Sequence, residues 1–452
     1  MSTPPLASGP EGPNALRPLL HTVLHALDDG RRARGGPLPA GGPTAITTRV
    51  RDIVGDILPD EGDPDALRAL VQLLAEGAAD PADPLCAAHL HCPPLAVAAA
   101  ADLAADILNP SLDSWDQAPA ASALETHVTT ALAHTTGAAD ALITTGGTES
   151  NLLALLLARE THGPTLRLIH GANAHHSLPR AAWLLGLPEP IIVPAPAGTL
   201  DPVALDEALT TLPGPHLVAA TAGTTDAGLI DPLPDIAARC QTHHTRLHID
   251  AAYGGALLFS DRHNTLLTGI DAAHTVTLDL HKLGWQPLAA GALTIRDPTD
   301  LTALHHHTDY LNAPDDTDAG LPDLLSRSLR TSRRPDALKI AVTLKTLGRT
   351  GLGALIDQVL DLAHHFATQI EQHPHFELYD HPVISTVLFR PHNATDTTVA
   401  AVRRTLLHNG HAVLGRAHTD GRLWLKATLL NPHTRPADLT TLLELVEGNT
   451  PT

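Results

Sequence analysis

The feature that most constrains the fold is an alternation, between about residue 120 and residue 280, of short apolar runs with longer segments of helical spacing. Each run is bounded by Gly, Pro or Thr, as is typical of a buried strand. The runs occupy residues 141–143, 166–169, 191–193, 217–220, 247–249 and 275–278, and the helical segments residues 150–161, 177–186, 202–211 and 232–242. Strands that alternate with helices predict a mainly parallel sheet covered on both faces.

The regions on either side of this alternation have other patterns. Residues 1–45 are rich in Pro and Gly and show helical spacing only over 15–27, so most of this segment is expected to be an arm or loop. Helices are predicted within 46–80 and over 95–108. Residues 350–452 predict a smaller α+β domain. The predicted domains are therefore an N-terminal arm and helical segment (1–85), a large domain (86–348) and a small domain (349–452).

Composition argues against several classes of function. A net charge of -20 disfavours general attraction to nucleic acid or to an anionic membrane. No uninterrupted run of about 18 apolar residues is present, and no basic segment followed by an apolar run begins the chain. Three cysteines disfavour a disulfide framework, so a reducing, cytoplasmic location is predicted.

A metal site is not predicted, although the chain contains 30 histidines. Their abundance is interpreted as compositional bias, because Ala, Thr, Pro and Arg are also plentiful while Lys, Met, Phe and Tyr are scarce. The best candidate for metal binding is the segment 89–92, which contains His89, His91 and Cys92. No second cluster of ligands completes a tetrahedral set.

Lys282 is the first candidate for chemistry, because the chain contains only four lysines and this one follows a predicted strand. Ligands bind at strand ends in sheets of this kind. The neighbouring apolar side chains Leu283 and Trp285 favour a lowered amine pKa, as a Schiff-base nucleophile requires. The alternative is an ordinary surface lysine in a loop.

Asp250 is the second candidate, because it ends the strand at 247–249 and is followed by small residues that let a flat ring approach the backbone. A carboxylate in that place can hold the nitrogen of a bound pyridine protonated, which makes the ring an electron sink. Lys282 follows about 30 residues later, a separation that fits two successive strand ends. The alternative roles are a helix cap or a metal ligand.

Three further segments support a cofactor site. Gly146, Gly147 and Thr148 lie between a strand and a helix, where free backbone N–H groups bind phosphate, although a plain turn with an N-cap has the same pattern. His175 precedes a helix and could stack on a ring, or it could be a capping or surface residue. Thr224 could donate a hydrogen bond to a cofactor, or it could be a turn residue.

Together these segments resemble the group II pyridoxal-phosphate-dependent amino-acid decarboxylases, a family that includes glutamate, aromatic amino-acid and 2,4-diaminobutyrate decarboxylases. The resemblance covers most of the chain from about residue 80, and its flanking segments are most similar to the bacterial diaminobutyrate members. The motifs are AHLHCPP at 88–94, TTGGTESN at 144–151, AHHS at 174–177, AGTTDAG at 222–228, HIDAAYGG at 248–255 and DLHKLGWQP at 279–287.

The resemblance implies the α/β architecture of fold type I pyridoxal-phosphate enzymes, a mainly parallel sheet with a smaller C-terminal α+β domain. It implies that Lys282 forms the Schiff base with pyridoxal 5'-phosphate and that Asp250 pairs with the ring nitrogen. His175 would stack on one face of the ring and assist protonation. The other implied contacts are Ala252 on the second face, Gly146, Gly147, Thr148 and His281 at the phosphate, Thr224 at the ring oxygen, and His91, Cys92 and Pro93 at the substrate entrance.

The implied reaction is decarboxylation of an L-amino acid or amino-acid conjugate through a quinonoid intermediate. The implied assembly is a homodimer with shared active sites, across which residues 1–80 would pack. A degenerate homologue that serves as a binding subunit is the non-enzymatic alternative, disfavoured because the cofactor-facing positions are intact.

One departure from the family concerns a loop tyrosine that protonates the product carbanion. Tyr310 lies earlier than expected, and Leu324 or Leu325 stands at the expected place. Without that donor, the outcome could be decarboxylation with oxidative deamination to an aldehyde, or carbon–sulfur cleavage of a cysteine conjugate in natural-product biosynthesis. Alternatively, His175 or His176 supplies the proton.

Overall fold

The computed structural model describes residues 3–306, 308 and 310–451. The helices are α1 Gly12–Arg34, α2 Gly42–Val54, α3 Ala66–Gly77, α4 Ala96–Leu108, α5 Pro119–Thr135, α6 Gly147–His162, α7 Ser177–Leu184, α8 Pro202–Thr211, α9 Leu233–Thr242, α10 Pro314–Asp318, α11 Ala337–Gln372, α12 Asp396–His408 and α13 Pro436–Gly448. The strands are β1 Cys86–Ala87, β2 Asp140–Thr144, β3 Arg167–Gly171, β4 Ile191–Val193, β5 His216–Thr221, β6 Arg246–Ala251, β7 Thr275–Asp279, β8 Gly291–Ile295, β9 Phe376–Leu378, β10 Thr386–Pro391, β11 Val413–Thr419 and β12 Arg422–Thr428.

The chain divides into two compact units. The first contains Met1–Pro93, Leu362–His381 and Thr386–Thr452, and the second contains Pro94–Asp361 and Pro382–Ser385. The domain boundaries expected from the sequence stay predictions.

The first unit contains a five-stranded sheet in the order β1-β11-β12-β10-β9. Its core is apolar and aromatic. Phe366 and Phe389 meet edge to face with ring centroids 5.4 Å apart, and Phe376 packs against the ring of Phe389. Such edge-to-face pairs add to the stabilisation that burial of the rings provides.

The second unit is built on a seven-stranded sheet in the order β2-β8-β7-β6-β5-β3-β4. Neighbouring strands from β7 to β4 are parallel, whereas β8 is antiparallel to both β7 and β2. Every residue of β5 and of β7 is buried, as expected for strands covered on both faces. The mainly parallel α/β sheet predicted from the sequence is therefore confirmed.

The local structure differs from what the sequence analysis gave in two places. Strand β8 was not among the predicted runs. The N-terminal segment is more helical than expected, because α1 continues through Arg34 and α2 begins at Gly42. The part of α1 beyond the predicted segment, residues 28–34, lacks apolar residues at helical intervals. Contacts made elsewhere in the fold hold it instead: the Arg34 guanidinium donates to the Ala75 carbonyl at 2.7 Å, and an added Cβ at Gly30 would lie 2.6 Å from the Ala75 Cβ.

None of the helices in the described residues combines the length and apolar character needed to cross a lipid bilayer. The same residues contain no group of three or more His, Cys, Asp or Glu side chains arranged to hold a metal ion.

Candidate active site

Two candidate residues lie at the carboxyl ends of neighbouring parallel strands, at the same edge of the larger sheet. Strands β6 and β7 pair in parallel, with Asp250 opposite Thr277. Asp250 lies at the carboxyl end of β6, and Lys282 follows the last residue of β7 by three positions. The carboxyl ends of parallel strands are where such sheets bind ligands. The fold therefore places the amine and the carboxylate at one edge, as their spacing in the sequence predicted.

The Lys282 ammonium pairs with the carboxylate of Asp279, a residue that was not singled out from the sequence. The Nζ–Oδ2 distance is 2.9 Å, with side-chain exposures of 18% for Lys282 and 3% for Asp279. His281 Nε2 lies 3.5 Å from the same oxygen. The second oxygen, Asp279 Oδ1, is buried without a hydrogen-bond partner among the described residues. The signal available was a carboxylate at the last position of an otherwise uncharged strand.

The Asp250 carboxylate is buried and held by two N–H donors. The side-chain amide of Asn151 donates to Oδ2 at 2.8 Å, and the backbone N–H of Ala252 donates to Oδ1 at 3.1 Å. Hydrogen bonds of this kind stabilise the charged form and fix the orientation of the carboxylate plane. Asp250 is thus prepared to accept a further donor, such as a protonated ring nitrogen.

Asn151 is the second residue that sequence reasoning missed. It lies on α6, fully buried, and its amide also donates to Ser177 Oγ at 2.8 Å. Its carbonyl oxygen contacts His248 Nε2 at 3.0 Å and Thr277 Oγ1 at 2.8 Å. A polar residue beside the run of leucines in α6 was the signal. Because buried polar groups need partners, such a residue predicts a network behind the site.

His248 completes this network on β6. Its side chain is fully buried, and its Nδ1 lies 2.9 Å from Thr275 Oγ1. Burial lowers the pKa of His248 to about 4, while the nearby Asp250 charge acts in the opposite direction. The imidazole is therefore neutral near pH 7, as a buried histidine must be unless it gains a direct ionic partner.

The start of α6 has the local geometry expected of an anion site, and its role stays a prediction. Gly146 has φ 142°, a conformation that favours glycine, and an added Cβ there would lie 2.7 Å from His281 Cε1. A Cβ at Gly147 would lie 3.2 Å from Ala252 Cβ. Thr148 follows in the first turn and is exposed. These glycines bring backbone N–H groups at the positive end of the helix dipole close to His281 and Ala252.

His175 is half-buried beside the same groups. Burial lowers its pKa below the ordinary value, Asp250 opposes this effect, and the charge of Lys282 adds to it. One imidazole therefore interacts with both the strand-end carboxylate and the lysine. Thr224 is buried, and its Oγ1 accepts a hydrogen bond from Leu229 N–H at 3.0 Å, which leaves the hydroxyl proton for donation.

The remaining residues singled out from the sequence are those of the expected substrate entrance and of the loop expected to carry a tyrosine. His91 and Pro93, with Cys92 buried between them, belong to the first unit, and their role at a substrate entrance stays a prediction. Tyr310 is 79% exposed, and Leu324 is buried in an apolar cluster with Leu112 and Ala118.

The chemistry of these groups fits pyridoxal 5'-phosphate. The site offers a lysine amine for the aldehyde, a carboxylate for the ring nitrogen, an imidazole for the ring face and a helix N-terminus for the phosphate. Asp279 Oδ1, which has no hydrogen-bond partner in the part of the chain that the structure describes, lies beside these glycines and can accept from a further donor.

Comparison with known proteins supports the same chemistry. Residues 56–392 match the model of the pyridoxal-dependent decarboxylase conserved domain. The L-2,4-diaminobutyrate decarboxylase of Rhizobium meliloti (strain 1021) is 39% identical over 382 residues, which cover 80% of this chain and 77% of that protein. That of Acinetobacter baumannii is 32% identical over 407 residues, or 81% and 80% of the two chains.

A solved structure also resembles the whole chain. It is the glutamate decarboxylase domain of diaminobutyrate-pyruvate transaminase and L-2,4-diaminobutyrate decarboxylase from Vibrio parahaemolyticus, with a TM-score of 0.86 and 31% identity. The match covers 98% of this chain and 97% of that one.

Proposed function

The chain belongs to the family of pyridoxal-dependent decarboxylases, and from that premise we propose that it converts L-2,4-diaminobutyrate to propane-1,3-diamine and carbon dioxide. Its activity is that of a pyridoxal-phosphate-dependent amino-acid decarboxylase. In the proposed reaction the bond between the α-carbon and the carboxylate breaks, the electron pair stays on the α-carbon, and a proton replaces the carbon dioxide that leaves.

The observation that carries this proposal is the placement of Asp250 at the carboxyl end of β6 and of Lys282 just after the adjacent parallel strand β7. When bound, pyridoxal phosphate accepts the electron pair that the departing carboxylate leaves behind. Asp250, fixed by Asn151 and Ala252, holds the proton on the ring nitrogen and thereby stabilises that pair. Lys282 would hold the cofactor through its amine, which is 18% exposed and paired with Asp279.

Three further residues would orient the cofactor. Gly147 and Thr148 lie at the start of α6, where backbone N–H groups bind the phosphate. Thr224 has a hydroxyl proton that it can donate to the ring oxygen, since its Oγ1 already accepts from Leu229.

The choice of substrate rests on the relatives. Two diaminobutyrate decarboxylases match about four-fifths of the chain at 39% and 32% identity, whereas the acidic amino-acid decarboxylase of Mus musculus is 27% identical. A homodimer with shared sites and a cytoplasmic location accompany this proposal as predictions.

The direct test is product formation by the loaded enzyme. Purified protein with pyridoxal phosphate is mixed separately with L-2,4-diaminobutyrate, L-ornithine, L-glutamate and L-aspartate, and carbon dioxide and amine are quantified. We expect the largest kcat/KM for diaminobutyrate. A larger value for an acidic substrate contradicts the proposed substrate, and no release from any of the four contradicts the reaction.

A matched pair of lysine variants tests the role of Lys282. Lys282→Ala should abolish the visible absorbance of bound pyridoxal phosphate and the release of carbon dioxide. Lys345→Ala removes an exposed lysine of α11 and should leave both unchanged. Retention of the absorbance in Lys282→Ala would show that another amine holds the cofactor.

Proton return is the step on which an oxidative outcome would depend. Leu324, which was expected at the place of the loop tyrosine, is packed with Leu112 and Ala118 instead of lying on an exposed loop. Tyr310 supplies an exposed phenol between Lys282 and Arg330. Neither position places a proton donor at the site in the described residues. His175, which interacts with both Asp250 and Lys282, is the group that we propose returns the proton to give an amine.

Dioxygen consumption separates the two outcomes. We expect none in the native enzyme, and we expect Tyr310→Phe to keep forming the amine without consuming dioxygen, because this phenol is 79% exposed and lies earlier than the family's loop donor. Dioxygen consumption by the native enzyme would favour the oxidative deamination considered from the sequence.

A further inference from the structure

The buried amide of Asn151 uses all four of its hydrogen-bonding positions. Its two N–H groups contact Asp250 Oδ2 and Ser177 Oγ, both at 2.8 Å, and its carbonyl oxygen contacts His248 Nε2 and Thr277 Oγ1. An amide of this kind can make four such bonds, so the group is fully satisfied. Its position is therefore fixed by contacts from β6, β7 and the start of α7.

The direction of each bond follows from Asp250. An ionised carboxylate only accepts, so the NH2 end of Asn151 must face it. The carbonyl end then faces His248, whose Nε2 must donate. His248 Nδ1 is left as an acceptor, and Thr275 Oγ1 donates to it at 2.9 Å.

The same reasoning extends to His175 through Ser177. Ser177 Oγ accepts from Asn151, so its own proton is directed to His175 Nδ1, 2.8 Å away. The backbone N–H of Ser177 also points to Nδ1, at 3.3 Å. Two donors at Nδ1 leave no place for a proton there, and a neutral imidazole must then carry its proton on Nε2.

We propose that Asn151 is a positioning residue that couples the Asp250 carboxylate, through Ser177, to the tautomer of His175. The proposal rests on the proposed function, because it describes the groups that would face the cofactor. Its consequence is that His175 presents a donor, Nε2–H, with its acceptor nitrogen already engaged. A histidine whose tautomer is fixed by a second residue is a recurrent device in active sites.

The test compares three variants that cut the network at different places. Asn151→Ala removes the bonds to both Asp250 and Ser177. Ser177→Ala removes only the hydroxyl that links Asn151 to His175. Asn173→Ala is the matched control, because Asn173 donates at 2.8 Å to a different buried carboxylate, Asp231.

Two readouts are made on the enzyme loaded with pyridoxal phosphate. One is the histidine ¹⁵N spectrum, in which His175 is assigned by its loss in His175→Gln and its tautomer is read from the shifts of the two ring nitrogens. The other is the pH titration of the visible absorbance of the bound cofactor, which responds to the environment of the ring nitrogen beside Asp250.

We expect a single Nε2–H tautomer in the native enzyme. Ser177→Ala leaves only the longer bond from the backbone N–H to Nδ1, at 3.3 Å, so it should give a mixture of tautomers and a kcat lower by about 10- to 100-fold, with an unchanged absorbance titration. Asn151→Ala should alter both readouts, and Asn173→Ala should alter neither. If Asn151→Ala does not fold, Asn151→Ser replaces it, and Ser177→Ala alone is sufficient to decide the tautomer.

An unchanged His175 tautomer in Ser177→Ala and in the Asn151 variant would overturn the proposal. This outcome is distinct from failure of the proposed function, which would appear as absence of carbon dioxide release by the native enzyme. The tautomer measurement needs no substrate, so the two failures are separable.

Discussion

Asp250 and Asp231 are two buried carboxylates in the same unit, each held by an asparagine amide, and they differ in where their other donors originate. Asp231 accepts from the backbone N–H groups of Leu200 and Thr221, at 2.8 and 2.7 Å, as well as from Asn173. It thereby ties together separate segments of the chain. The donors of Asp250 are one helix side chain and the N–H of its own turn.

The difference shows how a structural carboxylate is distinguished from a candidate functional one. Both are almost fully buried, with exposures of 5% for Asp250 and 2% for Asp231. Burial raises the pKa of Asp231 despite the opposing effect of its three donors. The donors of Asp231 come from separate segments that it holds together, whereas Asp250 has only two donors and interacts with the imidazole of His175, which also interacts with Lys282.

The largest expected effect is that of Asp250→Asn on catalysis. An amide cannot hold a proton on the ring nitrogen, so kcat should fall by about 1000-fold. The free energy of unfolding of the cofactor-free protein, measured by urea denaturation, should also fall by roughly 2 kcal/mol, because the new NH2 group faces one of the two N–H donors. A kcat equal to that of the native enzyme would contradict the distinction between the two carboxylates, because Asp250 would then have only a structural role, like Asp231.

The next effect is a loss of stability in mild acid. His248 has a pKa of about 4 when folded and about 6.5 when unfolded, so the unfolded chain binds the proton first as the pH falls. The contribution of neutral His248 to the free energy of unfolding is complete above pH 6.5. It falls by on the order of 3 kcal/mol as the pH decreases to about 4. Urea denaturation of His248→Gln between these pH values should show a smaller loss than the native protein.

The pH dependence that Asp231 gives to the stability of the fold is opposite to that of His248. Because its pKa is raised in the folded state, its proton binding favours folding at low pH, and this contribution is lost as the pH rises through the folded value. Asp231→Asn should therefore show a steeper acid-side loss than the native protein. A smaller loss of stability in acid for Asp231→Asn than for the native protein would show that burial does not raise the pKa of Asp231.

At neutral pH, Asp231→Asn should lower the free energy of unfolding by roughly 2 kcal/mol. The new NH2 group would face a backbone N–H and leave that donor unsatisfied. Carbon dioxide release and cofactor absorbance of the folded variant should be unchanged. A large loss of kcat without a loss of stability would contradict its structural role.

The smallest expected effect is that of Thr275→Val. This change keeps the shape of the side chain and removes the donor to His248 Nδ1, so stability should fall by about 1 kcal/mol. Thr294→Val, at a buried threonine whose Oγ1 contacts Thr136, is the matched control for the loss of a hydroxyl. Only Thr275→Val should alter the ¹⁵N shifts of His248.

Much of the fold was accessible from the sequence because the strands of the larger sheet are short apolar runs. Predicted runs at 217–220 and 275–278 coincide with β5 and β7. Strand β8, Gly291–Ile295, was missed, although it lies between β2 and β7 and is antiparallel to both. Its place depends on pairing with distant strands, which a local pattern does not report.

The candidate site was accessible only in part. Lys282 and Asp250 were identified from their place after predicted strands. Asn151 and Asp279 were missed, because their partners lie 99 positions away in one case and across a turn in the other. A leucine-rich helix face and a strand end have ordinary structural explanations until the neighbouring elements are in place.

The sequence by itself determined the alternation of strands and helices, the order of the glycine, aspartate and lysine segments, and the chemistry these residue types can perform. The tertiary structure decided which polar groups meet: it joined the amide of Asn151 to Asp250 and the carboxylate of Asp279 to Lys282. The physical reason is that local pattern follows from backbone geometry and burial, whereas hydrogen bonds in a core depend on the mutual position of elements far apart in the chain.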